Sequence, residues 1–499
     1  MTLVLAVLAG VAHALSFAPF DLPPLQLAAL AALIALAQRQ PSWQRAARAG
    51  FAFGLGWFGT GVSWVYVSMH GHGDMPAWIA APATAGLAAL LAVYPALAAG
   101  AAHRVTGRPA PRLLLAWPGA WALSEWLRGT MLSGFPWIAS GYAHTDGPLA
   151  GYAPLIGVYG LCLLAALIAG AAVASLQPRS AVTPAIRVAA LAAAVLVLAG
   201  GQGLRAMQWT RPAGQPLNVK LVQGNIPQDL KFAQGGAELS VQRYFELMPD
   251  SPQEHSDLVV LPESAFPLPL GLLPLDVQRS LLDFPQQQHA ALIFGVFLEE
   301  SGDRIYNSAL GLQDHEPAQR YSKRHLVPFG EFIPFGFRWF TDLLKMPIGD
   351  QDRGDPYQPP MHLAGQRIAV NICFEDLFGA EIIDAWRDPA LEPTMLLNLS
   401  NLAWFDDSIA LPQHLQISRM RALETGLPLL RATNTGATAI IDPRGRVLAQ
   451  LPFLQAAVLR GQVTGYSGHT PFVKHGNIPA LALAAALLAA SSLRRTRPA

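Results

Sequence analysis

Three strand ends in the second half of the chain each deliver one ionisable side chain. Glu263 ends the run that begins at Leu258, Lys323 follows Tyr321-Ser, and Cys373 follows Val370-Asn-Ile. Ligands and catalytic groups collect at the carboxyl ends of strands in open α/β sheets, so we expect the carboxylate, the amine and the thiol to converge. Together they predict a nucleophilic site built around a cysteine.

Each of the three residue types has a defined task in such chemistry. A thiol with a pKa near 8.5 is only a few per cent thiolate at neutral pH, so a base is needed, and Glu263 can accept the proton. The Lys323 ammonium can stabilise the thiolate and then a tetrahedral oxyanion. The backbone N–H of Phe374 is the natural second oxyanion donor, and losing one such donor costs about 3 kcal/mol.

Taken singly, these residues also have simpler interpretations. A cysteine after a β-type run is more often a small buried hydrophobic residue than a nucleophile. Glu263 follows a proline, and a glutamate in that position is more often a solvated turn residue. Lys323 beside Arg324 is consistent with a surface charge. The residue types alone therefore leave the site open.

No metal site or disulfide framework is predicted. The chain has only two cysteines, Cys162 in an apolar run and Cys373 in a polar region, which is too few for a disulfide scaffold or a Cys-rich zinc site. His70, His72 and Asp74 alternate with other residues, and we interpret them as a polar loop tip. Glu125 lies in an apolar stretch, where we predict pairing with Arg128 or another nearby cation and favour a structural role.

The composition shows which kind of chain must position these groups. Hydrophobic residues make up 52% and charged residues 13%, against about 25% charged in a typical soluble domain. So few charges could not cover the surface of a soluble protein of this size. The formal net charge is +1, which gives no global basic field for nucleic acid.

Apolar segments long enough to enter or cross a bilayer recur along the chain. The predicted spans are 3–18, 24–38, 50–69, 77–102, 112–128, 152–176, 186–204 and 478–493. The N-terminus lacks a positive n-region, so a retained helix is favoured over a signal peptide. We predict a seven-helix membrane domain at 1–213, a catalytic domain at 214–477, and a last membrane helix with a basic cytoplasmic tail at 478–499.

The basic residues predict an orientation in the membrane, because cytoplasmic loops carry an excess of Lys and Arg. Every even-numbered span is followed by basic residues, whereas the loops after spans one and three carry acids and no Lys or Arg. Both termini are therefore predicted to be cytoplasmic and 205–477 to lie on the opposite side. Arg128, Arg205 and Arg211 disagree with this pattern but are outweighed by four concordant loops.

The polar region between the apolar segments alternates strand-like and helix-like patterns. We predict strands at 218–222, 257–261, 291–296, 368–372 and 394–398, and a helix at 413–424. This alternation is typical of a layered α/β domain.

Four strings in this region resemble the bacterial apolipoprotein N-acyltransferases, a membrane branch of the nitrilase (carbon–nitrogen hydrolase) superfamily. The strings are Leu221-Val-Gln-Gly-Asn-Ile-Pro-Gln-Asp-Leu-Lys-Phe232, Leu261-Pro-Glu-Ser-Ala-Phe-Pro267, Tyr321-Ser-Lys-Arg-His-Leu-Val-Pro-Phe-Gly-Glu-Phe-Ile-Pro334 and Ile372-Cys-Phe-Glu375. The third is the most specific. Gly134-Phe-Pro-Trp137 and Glu125-Trp-Leu-Arg128 in the membrane part also resemble the family.

The resemblance implies a fold and a set of site residues. The fold would be a polytopic α-helical membrane domain of about eight transmembrane helices plus an extracytoplasmic nitrilase-like αββα sandwich. The implied catalytic triad is Glu263, Lys323 and Cys373. The implied neighbours are Glu331 as a supporting carboxylate, Phe374, and the substrate-pocket residues Glu375, Trp404 and Phe232. Many members carry Tyr at the position of Phe374 and Trp at that of Phe232, which bears on acyl preference rather than reaction class.

The resemblance also implies an activity and its partners. A phospholipid, typically phosphatidylethanolamine, would donate its sn-1 acyl chain through a cysteine thioester. The acceptor would be the α-amino group of the S-diacylglyceryl-cysteine that begins a diacylated apolipoprotein. No metal or organic cofactor is expected, and the location would be the bacterial inner membrane with a periplasmic catalytic domain.

Two alternatives stay open at the level of sequence. A membrane-tethered amidase or nitrilase would use the same triad and pass the acyl group to water. A transporter or scaffold with a degenerate outer domain is disfavoured, because the triad is complete and the membrane spans carry few charges.

Overall fold

The computed structural model describes residues 1–336, 338 and 350–493 of the chain. Within them the chain divides into two compact units. Unit 1 comprises Met1–His70, Met75–Gln208 and the segment from Thr470 onward, and unit 2 comprises Gly71–Asp74 and Trp209–His469. The three arginines of the predicted basic tail, at 494, 495 and 497, lie outside the described residues.

The regular elements of unit 1 among its described residues are all helical. Its longer helices are Thr2–Ala14, Pro23–Gln38, Trp43–Gly61, Ala77–Val105, Trp117–Arg128, Ala153–Ser175, Pro184–Leu204 and Ile478–Ser492. Shorter helical turns are Trp64–Val67, Ser68–His72, Pro109–Pro111, Arg112–Ala116, Met131–Ser133, Ser140–His144, Pro148–Tyr152 and Pro471–His475. A helix therefore occupies most or all of each predicted apolar span.

Three segments among the described residues are helical, long and apolar enough to cross a membrane: Ala77–Val105, Pro148–Ser175 and Pro184–Leu204, of 29, 28 and 21 residues. The helices Thr2–Ala14, Pro23–Gln38 and Ile478–Ser492 are apolar but shorter. The predicted span 50–69 differs most from the structure, because its helix begins at Trp43 and ends at Gly61.

Glycines let two of these helices approach closely. A Cβ atom on Gly10 would lie 2.0 Å from the carbonyl oxygen of Phe53, and one on Gly56 would lie 2.1 Å from that of Val7. Helices Thr2–Ala14 and Trp43–Gly61 are thus in backbone contact at both positions. Small residues at helix interfaces are typical of helices that pack in lipid, where close van der Waals contact drives association.

Unit 2 contains two β-sheets. The strands of its described residues are β1 Arg211–Gln223, β2 Leu258–Val260, β3 Phe266–Pro269, β4 Ala291–Glu300, β5 Arg304–Leu312, β6 Gln319–Ser322, β7 Met361–Leu363, β8 Gln366–Ile372, β9 Met395–Ser400, β10 Leu429–Thr433, β11 Ala439–Ile441, β12 Val447–Gln450 and β13 Ala457–Ser467. The first sheet has the order β13-β1-β2-β4-β5-β6, with β3 beside β4, and the second has the order β12-β11-β10-β9-β8-β7.

Each sheet has a parallel centre and antiparallel edges. Strands β1, β2 and β4 are parallel to one another, and so are β8, β9 and β10. The outer strands β13, β5, β7 and β11 pair antiparallel with them. All five strands predicted from the sequence are present, and the predicted helix at 413–424 lies within the helix Ala410–Thr425.

Alternation of side chains divides the core into two layers, since successive residues of a strand face opposite sides. Ile293 of β4 packs in a cluster with Val370 of β8 and Leu397 of β9, so the two sheets face each other. Leu292 of β4 packs on the opposite side, in a cluster with Leu281 of the helix Leu275–Gln288.

The remaining helices of unit 2 cover the sheets. Gly236–Leu247 contributes Tyr244 to the outer cluster on the first sheet. Ala410–Thr425 is buried along nearly its whole length beside β10. Short turns at Gln228–Lys231, Leu270–Leu272, Cys373–Leu377, Gly379–Ile382, Ile383–Trp386 and Leu402–Phe405 complete the described part of the unit. The result is an α–β–β–α layering, as expected.

Candidate active site

The three residues singled out by the sequence lie immediately beyond strand ends. Glu263 lies three residues after β2, Lys323 directly follows β6, and Cys373 directly follows β8. β2 and β6 belong to the first sheet and β8 to the second. The carboxylate and the amine therefore come from one sheet and the thiol from the sheet that faces it.

Local backbone contacts hold the Glu263 segment against β4. The N–H of Gly295 donates to the carbonyl oxygen of Pro262 at 3.2 Å. A Cβ at position 295 would lie 2.5 Å from that oxygen and 2.6 Å from the Cα of Glu263, so only glycine fits here. Ser264 has a positive φ of 48°, which turns the chain directly after the carboxylate.

Lys323 lies between two carboxylates. Its Nζ donates to Oε1 of Glu331 at 2.6 Å and to Oε1 of Glu263 at 3.2 Å. The Lys323 side chain is 1% exposed, and those of Glu263 and Glu331 are 6% and 13% exposed. Burial works against the ammonium, but the two carboxylates outweigh it and raise the pKa of Lys323. The lysine therefore stays charged across the physiological range.

Three further donors fix the carboxylates. Asn307 Nδ2 donates to Glu263 Oε1 at 2.8 Å, and the backbone N–H of Asn401 donates to Glu263 Oε2 at 2.7 Å. The N–H of Val327 donates to Glu331 Oε2 at 2.8 Å. The carbonyl oxygen of Asn307 also accepts from the N–H of Lys323 at 2.8 Å, so this asparagine orients both partners of the ion pair.

Cys373 lies in a strained turn. Its φ of 53° is in the left-handed region, which a residue with a Cβ occupies at a cost of about 1–3 kcal/mol. Burial, with Glu263 adding to it, raises the pKa of the thiol, while Lys323 acts in the opposite direction. The thiol is thus protonated near neutral pH, and forming its thiolate requires a base in the reaction itself.

Glu375 joins the lysine segment to the cysteine turn. Its Oε1 accepts from the N–H groups of Arg324 and His325 at 2.7 and 3.1 Å. Its Oε2 accepts from Ile372 N–H at 2.6 Å and from the Tyr321 hydroxyl at 2.9 Å. Burial raises the pKa of Glu375 despite these donors. The four contacts favour a positioning task over the substrate contact that the resemblance implies.

The two aromatic residues implied for the substrate pocket are exposed. Phe232 follows the short helix Gln228–Lys231 and is 52% exposed, and Trp404 lies in the turn Leu402–Phe405 and is 38% exposed. Phe374, directly after the nucleophile, is buried and packs edge-on against Phe378 at 5.3 Å between ring centroids. Their roles toward substrate stay predictions.

Sequence reasoning missed several residues that contact the site. Neither Asn307 nor Asn401 carried a local signal of a role at the site. Lys231 is fully buried, and its Nζ lies 3.4 Å from the carbonyl oxygen of Glu263. Burial lowers the pKa of Lys231 to about 7, although the Glu263 carboxylate opposes the shift. The string Asp229-Leu-Lys-Phe232 contained this lysine without indicating that it is buried.

The part of the chain that the structure describes contains no set of metal ligands. No group of three or more His, Cys, Asp or Glu side chains there could hold a metal ion. A protonated thiol, a base held in place by an ammonium, and an amide N–H after the nucleophile can instead support acyl transfer through a covalent intermediate.

Comparison with known proteins agrees with this chemistry. Residues 219–470 match the carbon–nitrogen hydrolase family, and residues 9–171 match the apolipoprotein N-acyltransferase N-terminal domain. An amidase of the nitrilase superfamily from Nesterenkonia is 17% identical in sequence, with a TM-score of 0.37 over 54% of this chain and 97% of that one. Unit 2 is therefore a nitrilase-like α/β domain, a class assigned by the family match.

Relatives that match nearly the whole chain identify the family within this class. The chain is 49% identical to an apolipoprotein N-acyltransferase of Ralstonia nicotianae, over 99% of this chain and 93% of that protein. It is 44% identical to an apolipoprotein N-acyltransferase of Nitrosomonas europaea, over 98% and 97% of the two chains. The chain belongs to the apolipoprotein N-acyltransferase family.

Proposed function

We propose that this protein transfers an acyl chain from a phospholipid to the α-amino group of the N-terminal S-diacylglyceryl-cysteine of apolipoproteins. The observation that carries the proposal is the buried Lys323 ammonium between Glu263 and Glu331, together with the strained Cys373 turn. Family membership supports the two lipid substrates. Phosphatidylethanolamine as donor and its sn-1 chain as the group transferred are the finer parts of the proposal.

In the first half-reaction Cys373 becomes acylated. Glu263 accepts the thiol proton while the sulfur attacks the ester carbonyl carbon, so a C–S bond forms and the carbonyl oxygen becomes an oxyanion. Lys323 and the Phe374 N–H stabilise that charge. Collapse breaks the ester C–O bond, and the lysophospholipid oxygen leaves with the proton held by Glu263. The product is a thioester.

In the second half-reaction the acceptor amine attacks the thioester carbonyl. A C–N bond forms, Glu263 takes the amine proton, and the C–S bond breaks. The sulfur leaves as a thiolate that Lys323 stabilises until it regains the proton. The scheme is ping-pong, and each step uses residues of this chain alone.

The exposed aromatic rings of unit 2 support a lipid substrate. Phe232, Phe329 and Trp404 are all more than a third exposed, at 52%, 37% and 38%. Exposed apolar rings can contact acyl chains, and burying each CH₂ of a chain contributes about 0.8 kcal/mol. We propose that these rings form part of the acyl-chain surface, with Glu375 holding the turn behind the nucleophile.

We further propose a location for the two units. The eight apolar segments would cross the bacterial inner membrane with both termini cytoplasmic, and 205–477 would be periplasmic, where exported lipoproteins are found. The basic residues after even-numbered spans support this orientation. An alkaline phosphatase fusion near Gln313 should be active and one near Arg108 inactive, and the reverse pattern would overturn the orientation.

One assay tests the activity. The purified full-length chain is incubated with phosphatidylethanolamine and a synthetic diacylated lipopeptide, and products are identified by mass spectrometry. We expect the lipopeptide to gain one acyl mass at its α-amino group and lysophospholipid to appear in equal amount. A membrane-tethered hydrolase, which family membership does not favour, would release free fatty acid and leave the lipopeptide unchanged.

A further inference from the structure

The carbonyl oxygen of Cys373 has two side-chain partners that the chemistry above does not use. His414 Nε2 lies 3.2 Å from it, and Asn398 Nδ2 donates to it at 3.4 Å. Both residues are fully buried, at 0% exposure. His414 belongs to the helix Ala410–Thr425, and Asn398 belongs to β9.

Arg431 determines which nitrogen of His414 carries the proton. Its Nη2 lies 2.5 Å from His414 Nδ1. A guanidinium only donates hydrogen bonds, so Nδ1 must accept. Burial, with Arg431 adding to it, holds the pKa of His414 well below its usual value, so the ring is neutral. A neutral ring that accepts at Nδ1 carries its hydrogen at Nε2 and donates it to the Cys373 carbonyl.

Arg431 is itself fixed from other sides. It is 0% exposed, its Nη1 donates to Asn398 Oδ1 at 2.9 Å and to Ser418 Oγ at 2.7 Å, and Nη1 lies 3.5 Å from Asp376. The guanidinium therefore has one orientation available, and it presents the same donor to His414 at all times. We refer to these two residues as the Arg431–His414 pair.

The held carbonyl belongs to the same peptide group as the Phe374 N–H. The six atoms of a trans peptide are coplanar, with C=O and N–H pointing in opposite directions. A donor that fixes the Cys373 oxygen thereby fixes the direction of the Phe374 N–H. This matters at Cys373 because its φ of 53° is strained, and the hydrogen bonds to its carbonyl offset part of that strain.

We propose that the Arg431–His414 pair is a positioning device that aims the Phe374 N–H at the oxyanion formed on the acyl group bound to Cys373. The inference deepens the proposed function and rests on its cysteine chemistry. His414 and Arg431 are positioning residues, since they act through the 373–374 peptide.

The test compares two replacements of His414 in the purified full-length chain. Glutamine can accept from Arg431 through Oε1 and donate to the Cys373 carbonyl through Nε2, whereas methionine fills similar volume and donates nothing. The probe is p-nitrophenyl butyrate, whose attack by Cys373 releases one equivalent of p-nitrophenolate in a burst. We expect His414→Met to lower the burst rate constant at least tenfold with an unchanged half-saturating ester concentration, and His414→Gln to stay within threefold of wild type.

A matched control separates positioning from general stability. Thr425 lies on the same helix, is 1% exposed and donates to the carbonyl oxygen of Arg421 at 2.8 Å. Thr425→Val also removes a buried hydrogen bond, but it should lower the melting temperature without changing the burst rate constant. Cys373→Ala should give no burst. A burst in His414→Met at the wild-type rate constant would overturn the proposal.

A second comparison, of His414→Asn with His414→Gln, tests the proposal if His414→Met does not fold. His414→Asn keeps the amide but shortens the side chain by one methylene, so it cannot reach both partners and should be at least fivefold slower than His414→Gln. Equal rates for Asn and Gln would refute positioning, as would a wild-type chain with no burst. If the burst pattern holds but no lipopeptide is acylated, the positioning inference stands and the lipid substrates are wrong.

Discussion

Each unit of this protein contains a buried ion-pair cluster, and the two clusters are built differently. In unit 1, Arg128 Nη2 lies 2.6 Å from Glu125 Oε2, with side chains 1% and 3% exposed. In unit 2, Lys323 lies between Glu263 and Glu331. The first cluster has one acid for one base, and the second has two acids for one base.

The unit 1 pair has its partners close by in sequence. Arg128 donates to the carbonyl oxygens of Phe135 at 2.5 Å and Trp137 at 3.0 Å, and Ser140 donates to Glu125 through its N–H at 3.1 Å and through its hydroxyl. These contacts fasten a loop to the helix Trp117–Arg128. The pairing of Glu125 with Arg128 predicted from the sequence is confirmed, and its contacts are those of a structural fastener.

The unit 2 cluster is instead assembled from distant segments and carries excess negative charge beside a thiol. A balanced, locally satisfied pair has little reason to exchange a proton, whereas an unbalanced one keeps a carboxylate available as a base. The comparison therefore predicts that disrupting one cluster affects chemistry and disrupting the other affects stability.

The largest effect is expected at the nucleophile. With phospholipid alone, wild type should gain one acyl mass on Cys373 that neutral hydroxylamine removes, because a thioester is the proposed intermediate. Cys373→Ala should gain none, with an unchanged circular dichroism spectrum. Intact-mass spectrometry makes the measurement. An acyl adduct that persists in the alanine variant would remove the cysteine from the mechanism.

Lys323→Met should lower the acylation rate constant about 10²–10³-fold, the usual loss for one oxyanion stabiliser. The substitution also leaves Glu263 and Glu331 facing each other, so Lys323→Met/Glu331→Gln is the better-folded comparison. Quenched-flow mass spectrometry of the Cys373 adduct gives the rate constant. If the double variant acylates at the wild-type rate, the lysine is only a structural charge.

Arg128→Met is the counterpart in unit 1. It leaves Glu125 buried without its partner, which costs about 3–5 kcal/mol of stability. The acylation rate constant per folded molecule should stay within about twofold of wild type, because a structural pair takes no part in the reaction. Thermal unfolding and single-turnover acylation are measured on the same preparation. A large fall in the acylation rate constant with unchanged stability would mean that the Glu125–Arg128 pair affects the reaction and is not only structural.

The sequence predicted central strands of each sheet better than it predicted the order of the strands. The five predicted strands are the apolar central ones, such as β4 and β8, because full burial leaves a continuous β-type run. Half-exposed strands such as β12 leave no such run. The sheet order places β4 beside β2, although β3 and the helix Leu275–Gln288 lie between them in the chain, and this non-local pairing carries no local signature.

The site was predictable where reactive residues end strands and not where they are supported from a distance. Glu263 and Cys373 follow apolar runs, so their positions could be predicted locally. Lys323 follows the polar strand Gln319–Ser322 and was identified by the string from Tyr321 to Pro334. His414 lies on a helix that is buried along nearly its whole length, and Arg431 lies on a fully buried strand. A polar residue there indicates burial with a partner but not which partner. The beginnings of helices were also missed. Ser42 is a typical N-cap residue, because its Oγ accepts from the Arg45 N–H at 3.4 Å, and the helix Trp43–Gly61 begins directly after it.

Lys231 offers the finest test, because it is a second buried amine beside Glu263, and its Nζ lies 3.4 Å from the Glu263 carbonyl oxygen. Its pKa in the folded protein is about 7 against an ordinary 10.5. Below pH 7 both folded and unfolded chains hold the proton, and the folded state bears the full cost of a buried charge. Between pH 7 and 10.5 only the unfolded chain holds it, so folding becomes more favourable as pH rises.

Lys231→Met should therefore change the pH dependence of stability rather than the chemistry. The stability difference, variant minus wild type, should fall by about 1.4 kcal/mol per pH unit between pH 7 and 10 and be flat below pH 7. Thermal unfolding across this range is the measurement, with Lys474→Met, which removes an exposed lysine, as the control. A difference that does not vary with pH would mean that the Lys231 amine stays protonated in the folded protein, and the buried site would then carry two cations rather than one.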